Sequence, residues 1–302
     1  TMAALFNKMR HILSLSKEEK VQFLKSFDLI LSDCDGVLWS VIEPIPGVGE
    51  GLRLLQEADK KVGYITNNSM RTDAEYMEKL ASIGVKDAYI NFKINFQDDV
   101  VHPVKTIIKY FKDNNFNGAI YSIADPVFSK VLREAGYVVL ETQEFAKSII
   151  EALKQEQNHD VRAVVMDIDI NLNIIKLIQA QMFLKKKDCL LILGATDKFI
   201  PLAPSLNILS IGKEILQLGK PGKLLGDHLM KHFKITDPKR VIFFGDALMQ
   251  DIAFGNSCGF QTLAVLSGAT GKEQLFKFAA ENNCPDYYTD SLFDFKKFFQ
   301  EL

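Results

Sequence analysis

The chain has 302 residues, of which 47% are hydrophobic and 25% charged, and its formal net charge is −2. That length exceeds what one hydrophobic core usually serves, so two domains, or one core carrying a large insertion, are expected. The near-neutral charge offers no positive field for nucleic acid or anionic membrane, and no apolar run reaches the roughly eighteen residues of a membrane span.

The first element is announced by "SKEEKVQFLKSF", where Ser16 and Glu19 have the spacing of a capping box ahead of an amphipathic helix. A strand is predicted from Phe27 to Ser32, a helix in "GVGEGLRLLQEADKK", a strand in "KVGYIT", and a helix in "RTDAEYMEKLASIG" closed by Gly84. This βαβα order builds a parallel sheet. Between Gln97 and Gly212 the pattern restarts: "GAIYSIA", "AVVMDID" and "CLLILGAT" read as strands, with "IIKLIQAQMFLKKK" among the helices between them. The opening rhythm then resumes in the helix "KLLGDHLMKHF", the strand "RVIFFGD", a helix from Gln250 and the strand "QTLAVLS". The expected architecture is α/β, a Rossmann-like parallel-sheet core from residues 1–102 and 213–302 with an α/β domain of residues 103–212 inserted between them.

Several features carry no chemistry on this reading. Cys34, Cys189, Cys258 and Cys284 form no C-x-x-C pair and no zinc-like spacing, which suits free thiols in a reducing compartment. With no charged-then-apolar pattern at the N-terminus, the cytosol is the expected address. His228 and His232 are four apart but lack the glutamate of a zinc helix. Lys185 to Lys187 read as a solvated helix terminus. The glycines of "PGVGEG" resemble part of a dinucleotide loop, but Thr66 stands where that fold would need an acid at a second strand end.

Three predicted strands end on polar residues: "LILSDCD", "VGYITNN" and "VIFFGD". The carboxyl ends of parallel strands form the ligand crevice of an open sheet, which places Asp33, Asp35, Thr66, Asn67 and Asp246 on one rim. Lys220, in "LGKPGK" just before a helix, could reach it too. The residue types fit phosphoryl transfer. Asp33 and Asp246 are hard oxygen ligands for Mg²⁺, which offsets the repulsion between an attacking carboxylate and a phosphate. Thr66 offers a hydroxyl, Asn67 a backbone N–H and Lys220 a point charge to the phosphate oxygens. Asp33 can then attack phosphorus, while Asp35 protonates the leaving oxygen and later deprotonates water, a turn at Gly36 letting the two carboxylates diverge. Cys34 between them is expected to face the core as a small apolar residue.

In this order, "DCDGVLW", "TNNS", "GKP" and "GDALMQDI" resemble motifs I to IV of the haloacid dehalogenase-like hydrolases, and the resemblance runs over essentially the whole chain. The nearest subgroup resembles the 4-nitrophenylphosphatases, which include pyridoxal phosphate and phosphoglycolate phosphatases. The resemblance implies a C2-type cap for the insertion and a homodimer assembled through caps. It also implies that Asp33 is the nucleophile, that Asp35 is the acid/base lending its backbone carbonyl to Mg²⁺, and that Asp246 is the third protein ligand. Asp251 matches the carboxylate that holds the metal's water, and Thr66, Asn67 and Lys220 match the phosphate clamp. The implied activity is that of a phosphatase for small-molecule phosphate esters.

Two regions depart from the family pattern. Motif IV of the subgroup resembles G-D-R-L-D/E-T-D-I, whereas Ala247, Met249 and Gln250 stand here at the Arg, acidic and Thr positions. The cap loop "ATDKFIPLAPSLNILSIG" lacks the histidine of the pyridoxal phosphate phosphatases, and Phe199, Ile200, Leu202, Leu206 and Ile208 motivate a more apolar monophosphate as substrate, against simple packing of the cap. Two alternatives stay open: a phosphotransferase passing the phosphoryl group to an alcohol, and a catalytically weak binding descendant of the fold.

Overall fold

The structure is a computed structural model that describes residues 9–40, 43–85, 99–142, 160–194, 215–281 and 284–302. It divides into two compact units, the first comprising Thr1–Thr66, Asp73–Val101 and Gly226–Leu302, the second Asn67–Thr72 and His102–Leu225. Among the described residues the strands are, in chain order, β1 (Arg10–His11), β2 (Leu29–Ser32), β3 (Lys61–Ile65), β4 (Val100–Val101), β5 (Ala119–Ile123), β6 (Val139–Leu140), β7 (Val161–Met166), β8 (Leu190–Leu193), β9 (Ile215–Gln217), β10 (Val241–Gly245), β11 (Gln261–Val265) and β12 (Tyr287–Thr289).

In the first unit seven parallel strands run in the order β1-β12-β11-β10-β2-β3-β4. The middle strands are nearly continuous apolar runs because they are buried on both faces: every residue of β10 is buried, as are the last three of β2. Helix Lys17–Ser26 opens with the expected capping box between Ser16 and Glu19. It turns Phe23 into an aromatic cluster with Phe27, Phe295 and Phe298, whose rings lie 5.1 to 6.3 Å from its own. Burying each phenyl ring contributes about 1.5–3 kcal/mol. Phe27 closes this helix rather than opening the next strand, so β2 begins at Leu29.

Helix Val48–Glu57 explains the glycines of "PGVGEG". A Cβ on Gly49 would sit 1.5 Å from the Ile83 carbonyl oxygen, and one on Gly51 2.0 Å from that of Leu292. They let this helix press against neighbouring backbone, so close packing accounts for them without a nucleotide.

The second unit has its own parallel sheet, ordered β6-β5-β7-β8-β9. The strand β9 pairs with β8, so residues 215–217 group with the inserted unit and not with the core, where the sequence reading begins its second segment at 213. Lys185 caps helix Ile174–Leu184, and Lys185 to Lys187 are exposed, as a solvated terminus requires. The cap loop of residues 195–212, with Phe199, Ile200, Leu202, Leu206 and Ile208, lies outside the described residues.

Candidate active site

The site begins with a register. Phe244 of β10 pairs with Ser32 of β2, and the Asp33 N–H donates to the Phe244 carbonyl at 2.8 Å. The residues that follow these two strands, Asp33 and Asp246, therefore leave the sheet side by side. The next strand in the chain, β3, lies on the other side of β2 from β10, so the chain reverses its direction of travel here, and such switch points open the crevice of an α/β sheet.

A third acid joins them. After β10 the chain makes a π-helical turn, Leu248–Ile252, before the short α-helix Ala253–Ser257, where the sequence reading has one helix from Gln250. That turn brings Asp251 back, its Oδ2 accepting from the Ala247 N–H at 2.9 Å. Gly245 makes the return possible, since a Cβ there would lie 2.1 Å from the Asp251 Cβ. Asp33, Asp246 and Asp251 are 7%, 6% and 1% exposed, and one carboxylate oxygen from each lies within 4.8 Å of the others. At such a separation each ionised pair repels by about 3–4 kcal/mol at an effective dielectric of 20. Three buried acids held together in this way suit a hard divalent cation that takes oxygen ligands, and Mg²⁺ is such an ion. His228 and His232 belong to no such group among the described residues.

The loop after β11 completes the surround. The Ala269 N–H donates to Asp246 Oδ2, and the Ser267 hydroxyl donates to the Gly36 carbonyl at 2.8 Å. Gly36 has φ +87°, and a Cβ on it would lie 2.2 Å from Asp246 Oδ2; one on Gly268 would lie 2.0 Å from the same oxygen. Both positions must lack a side chain for the carboxylate to stand where it does.

Asp35 has a partner of its own. Its Oδ1 accepts from the Trp39 indole N–H at 3.0 Å, and Trp39 is 1% exposed with the Lys79 ammonium 4.7 Å from its ring centre. Cys34 between the two acids is fully buried in the core cluster that also holds Tyr64 and Trp39, as the sequence reading expects. Burial pushes the Tyr64 hydroxyl far above its ordinary range, so it stays neutral there.

Thr66 follows β3, is 3% exposed, and donates its N–H to Val101 at 3.0 Å. Asn67 and Lys220 belong to the second unit and are paired with each other. Asn67 Oδ1 accepts from the Lys220 N–H at 2.8 Å while its Nδ2 donates to the Lys220 carbonyl at 3.1 Å. The sequence reading uses only the Asn67 backbone and misses this side-chain clasp. It also misses Trp39, Gly245 and the 267–269 loop. The available signal was "SGAT" directly after a predicted strand.

A family model described as haloacid dehalogenase-like hydrolase matches residues 30–138, and a second, HAD-hydrolase-like, matches residues 217–295. The chain is 32% identical to the glycerol-3-phosphate phosphatase of Gallus gallus over 90% of its own length and 91% of the relative's. The chain belongs to the haloacid dehalogenase-like hydrolases. It is also 30% identical to phosphoglycolate phosphatase 2 of Arabidopsis thaliana, covering 94% of this chain and 97% of that protein. The 4-nitrophenylphosphatase of Schizosaccharomyces pombe is 28% identical over 93% and 96%. Among solved structures, the p-nitrophenyl phosphatase from Archaeoglobus fulgidus superposes with a TM-score of 0.72 at 21% identity, covering 90% of this chain and 99% of that one, which shows the shared fold. The haloacid dehalogenase-like chain described here is a phosphoric monoester hydrolase.

Proposed function

We propose that this hydrolase is a Mg²⁺-dependent phosphatase of small-molecule phosphate monoesters that works through an aspartyl-phosphate on Asp33. The observation that carries the reading is the approach of Asp33, Asp246 and Asp251 to within 4.8 Å at the strand ends. Asp33 and Asp246 would hold the cation with their carboxylates and Asp35 with its backbone carbonyl, and Asp251 completes the acidic set. When bound, the cation offsets the repulsion between carboxylate and phosphate oxygens. The altered motif IV residues Ala247, Met249 and Gln250 leave all of these acids in place.

The remaining chemistry belongs to side chains. A carboxylate oxygen of Asp33 attacks phosphorus as the bond to the leaving oxygen breaks, and the proton on Asp35 passes to that oxygen. Asp35 then takes a proton from water, which attacks the aspartyl-phosphate and releases inorganic phosphate and free Asp33. The Trp39 N–H on Oδ1 orients the Asp35 carboxyl. The Thr66 hydroxyl, the Asn67 backbone N–H and the Lys220 ammonium are the proposed phosphate ligands.

The relatives' names support small phosphorylated metabolites as the substrate class. On the family resemblance the inserted unit is a C2-type cap and the enzyme is a homodimer joined through it, while four cysteines without a C-x-x-C pair or zinc-like spacing suit a reducing compartment such as the cytosol. No helix among the described residues is long and apolar enough to cross a membrane.

The test is hydrolysis of 4-nitrophenyl phosphate with Mg²⁺ and with chelator, by the wild type and Asp33→Asn. Metal-dependent turnover, a phosphoenzyme trapped by acid quench, and loss of both in Asp33→Asn are expected. Undiminished turnover in Asp33→Asn, or no turnover of any monoester, would overturn the proposal. Added glycerol appearing as its phosphate ester would make the enzyme a phosphotransferase.

A further inference from the structure

The second unit contains a buried carboxylate that the mechanism above does not use. Asp167, 6% exposed, stands just beyond the carboxyl end of β7. Its Oδ1 accepts from the Ser69 hydroxyl at 2.6 Å and from the Ile168 N–H at 2.7 Å. Ser69 is itself 1% exposed and lies two residues from Asn67. The other oxygen, Oδ2, rests where a Cβ on Gly194 would be, 1.8 Å from that position, so the end of β8 must carry glycine to admit it.

These contacts continue to Lys220. A Cβ on Gly219 would lie 2.1 Å from the Gly194 carbonyl oxygen and 2.9 Å from Asn67 Oδ1, so Gly219 is pressed between the end of β8 and the asparagine. Asn67 then holds Lys220 by both backbone groups. The contacts close a ring through four turns: Asp167 to Ser69, Ser69 along the chain to Asn67, Asn67 to Lys220 and Gly219, and Gly219 through Gly194 back to Asp167. Lys220 is 2% exposed, so its ammonium cannot drift to find a phosphate and depends on where its backbone is placed.

We infer that Asp167 is a positioning residue for the phosphate clamp, setting the 67–69 turn against the 219–220 turn so that Asn67 and Lys220 are presented together. The inference rests on the proposed role of those two residues. It implies that losing the Ser69–Asp167 bond weakens the grip on phosphate itself, whatever the leaving group.

The test compares wild type with Asp167→Ala, Asp167→Asn, Ser69→Ala, the Ser69→Ala/Asp167→Ala double variant and Lys220→Ala. The readouts are KM and kcat for 4-nitrophenyl phosphate and the inhibition constant of inorganic phosphate. Removing a hydrogen bond to a buried carboxylate predicts that KM and the phosphate inhibition constant both rise by about tenfold in Asp167→Ala, with kcat falling by less than about threefold. Asp167→Asn keeps an acceptor for Ser69 and is expected to restore most of the phosphate affinity. Because the two residues act through one bond, the double variant should be no worse than the poorer single variant. A lower melting temperature with an unchanged phosphate inhibition constant in Asp167→Ala would overturn the inference, as would additive losses in the double variant. If Asp167→Ala does not fold, Ser69→Ala and Asp167→Asn decide: an unchanged inhibition constant in Ser69→Ala overturns it equally. Lys220→Ala separates the two levels. If it binds phosphate like wild type, the clamp reading fails and this inference with it; if it alone loses phosphate, only the inference fails.

Discussion

The most direct test of the site geometry is Gly36→Ala, with Gly84→Ala beside it. Both glycines have nearly the same left-handed backbone, φ +87° and +88°, and a side chain there costs about 1–2 kcal/mol in backbone strain. Only their surroundings differ. A Cβ on Gly84 meets nothing within 4 Å, whereas one on Gly36 would stand 2.2 Å from Asp246 Oδ2. To reach ordinary contact that carboxylate has to retreat by about 1 Å, and a displacement of that size at a reacting centre is worth about 100-fold in rate. Both variants should therefore melt a few degrees lower, about 2–4 °C for each kcal/mol lost. Only Gly36→Ala should also lose about 100-fold in kcat/KM for 4-nitrophenyl phosphate at saturating Mg²⁺. If Gly36→Ala keeps activity within about threefold of wild type, or if Gly84→Ala loses as much, the placement of Asp246 against Gly36 is not what activity depends on.

Four further outcomes are expected. Trp39→Phe removes the donor to Asp35 Oδ1, and steady-state kinetics should show kcat lower by about tenfold with KM little changed, the loss of a partly buried hydrogen bond that orients the acid/base. Asp251→Asn should raise the Mg²⁺ concentration for half-maximal activity by about tenfold or more, read by metal titration. Phe295→Ala, which empties a fully buried position stacked 5.9 Å from Phe244, should lower unfolding free energy in urea by about 3–5 kcal/mol. The Arg10 guanidinium holds the Glu19 carboxyl at about 2, below its ordinary 4.5, with help from the Ser16 N–H. A depressed carboxyl stabilises the fold above its unfolded value and loses that contribution as pH falls through 4.5 toward 2. Arg10→Ala should move the Glu19 NMR titration midpoint up toward 4.5, and an unmoved midpoint would refute the pairing.

Much of the architecture was legible because local physics repeats itself along the chain. The capping box at Ser16 and Glu19, the apolar runs of β2, β3, β10 and β11, and the glycine ending at Gly84 are short-range signals that any matching sequence would carry. The strands β1 and β12 and helix Asp294–Gln300 were not read, since two or three residues of strand, or seven of helix, are too few for a period to show. The boundary near residue 213 was misplaced for a related reason: which sheet β9 joins is a pairing with β8, and pairing leaves no mark on a three-residue strand.

The sequence by itself determined the chemical inventory and its order, since carboxylates after apolar strands, a threonine–asparagine pair and a lysine before a helix are residue types at chain positions. Only the tertiary structure decided which acids meet. Asp33 and Asp246 are neighbours because Phe244 registers against Ser32 across a sheet, and Asp251 returns because a π turn and a missing side chain at Gly245 admit it. Trp39 on Asp35, the Asn67 clasp on Lys220 and the Asp167 bond to Ser69 likewise depend on distances between segments. Such distances are set by packing that no single stretch of chain contains.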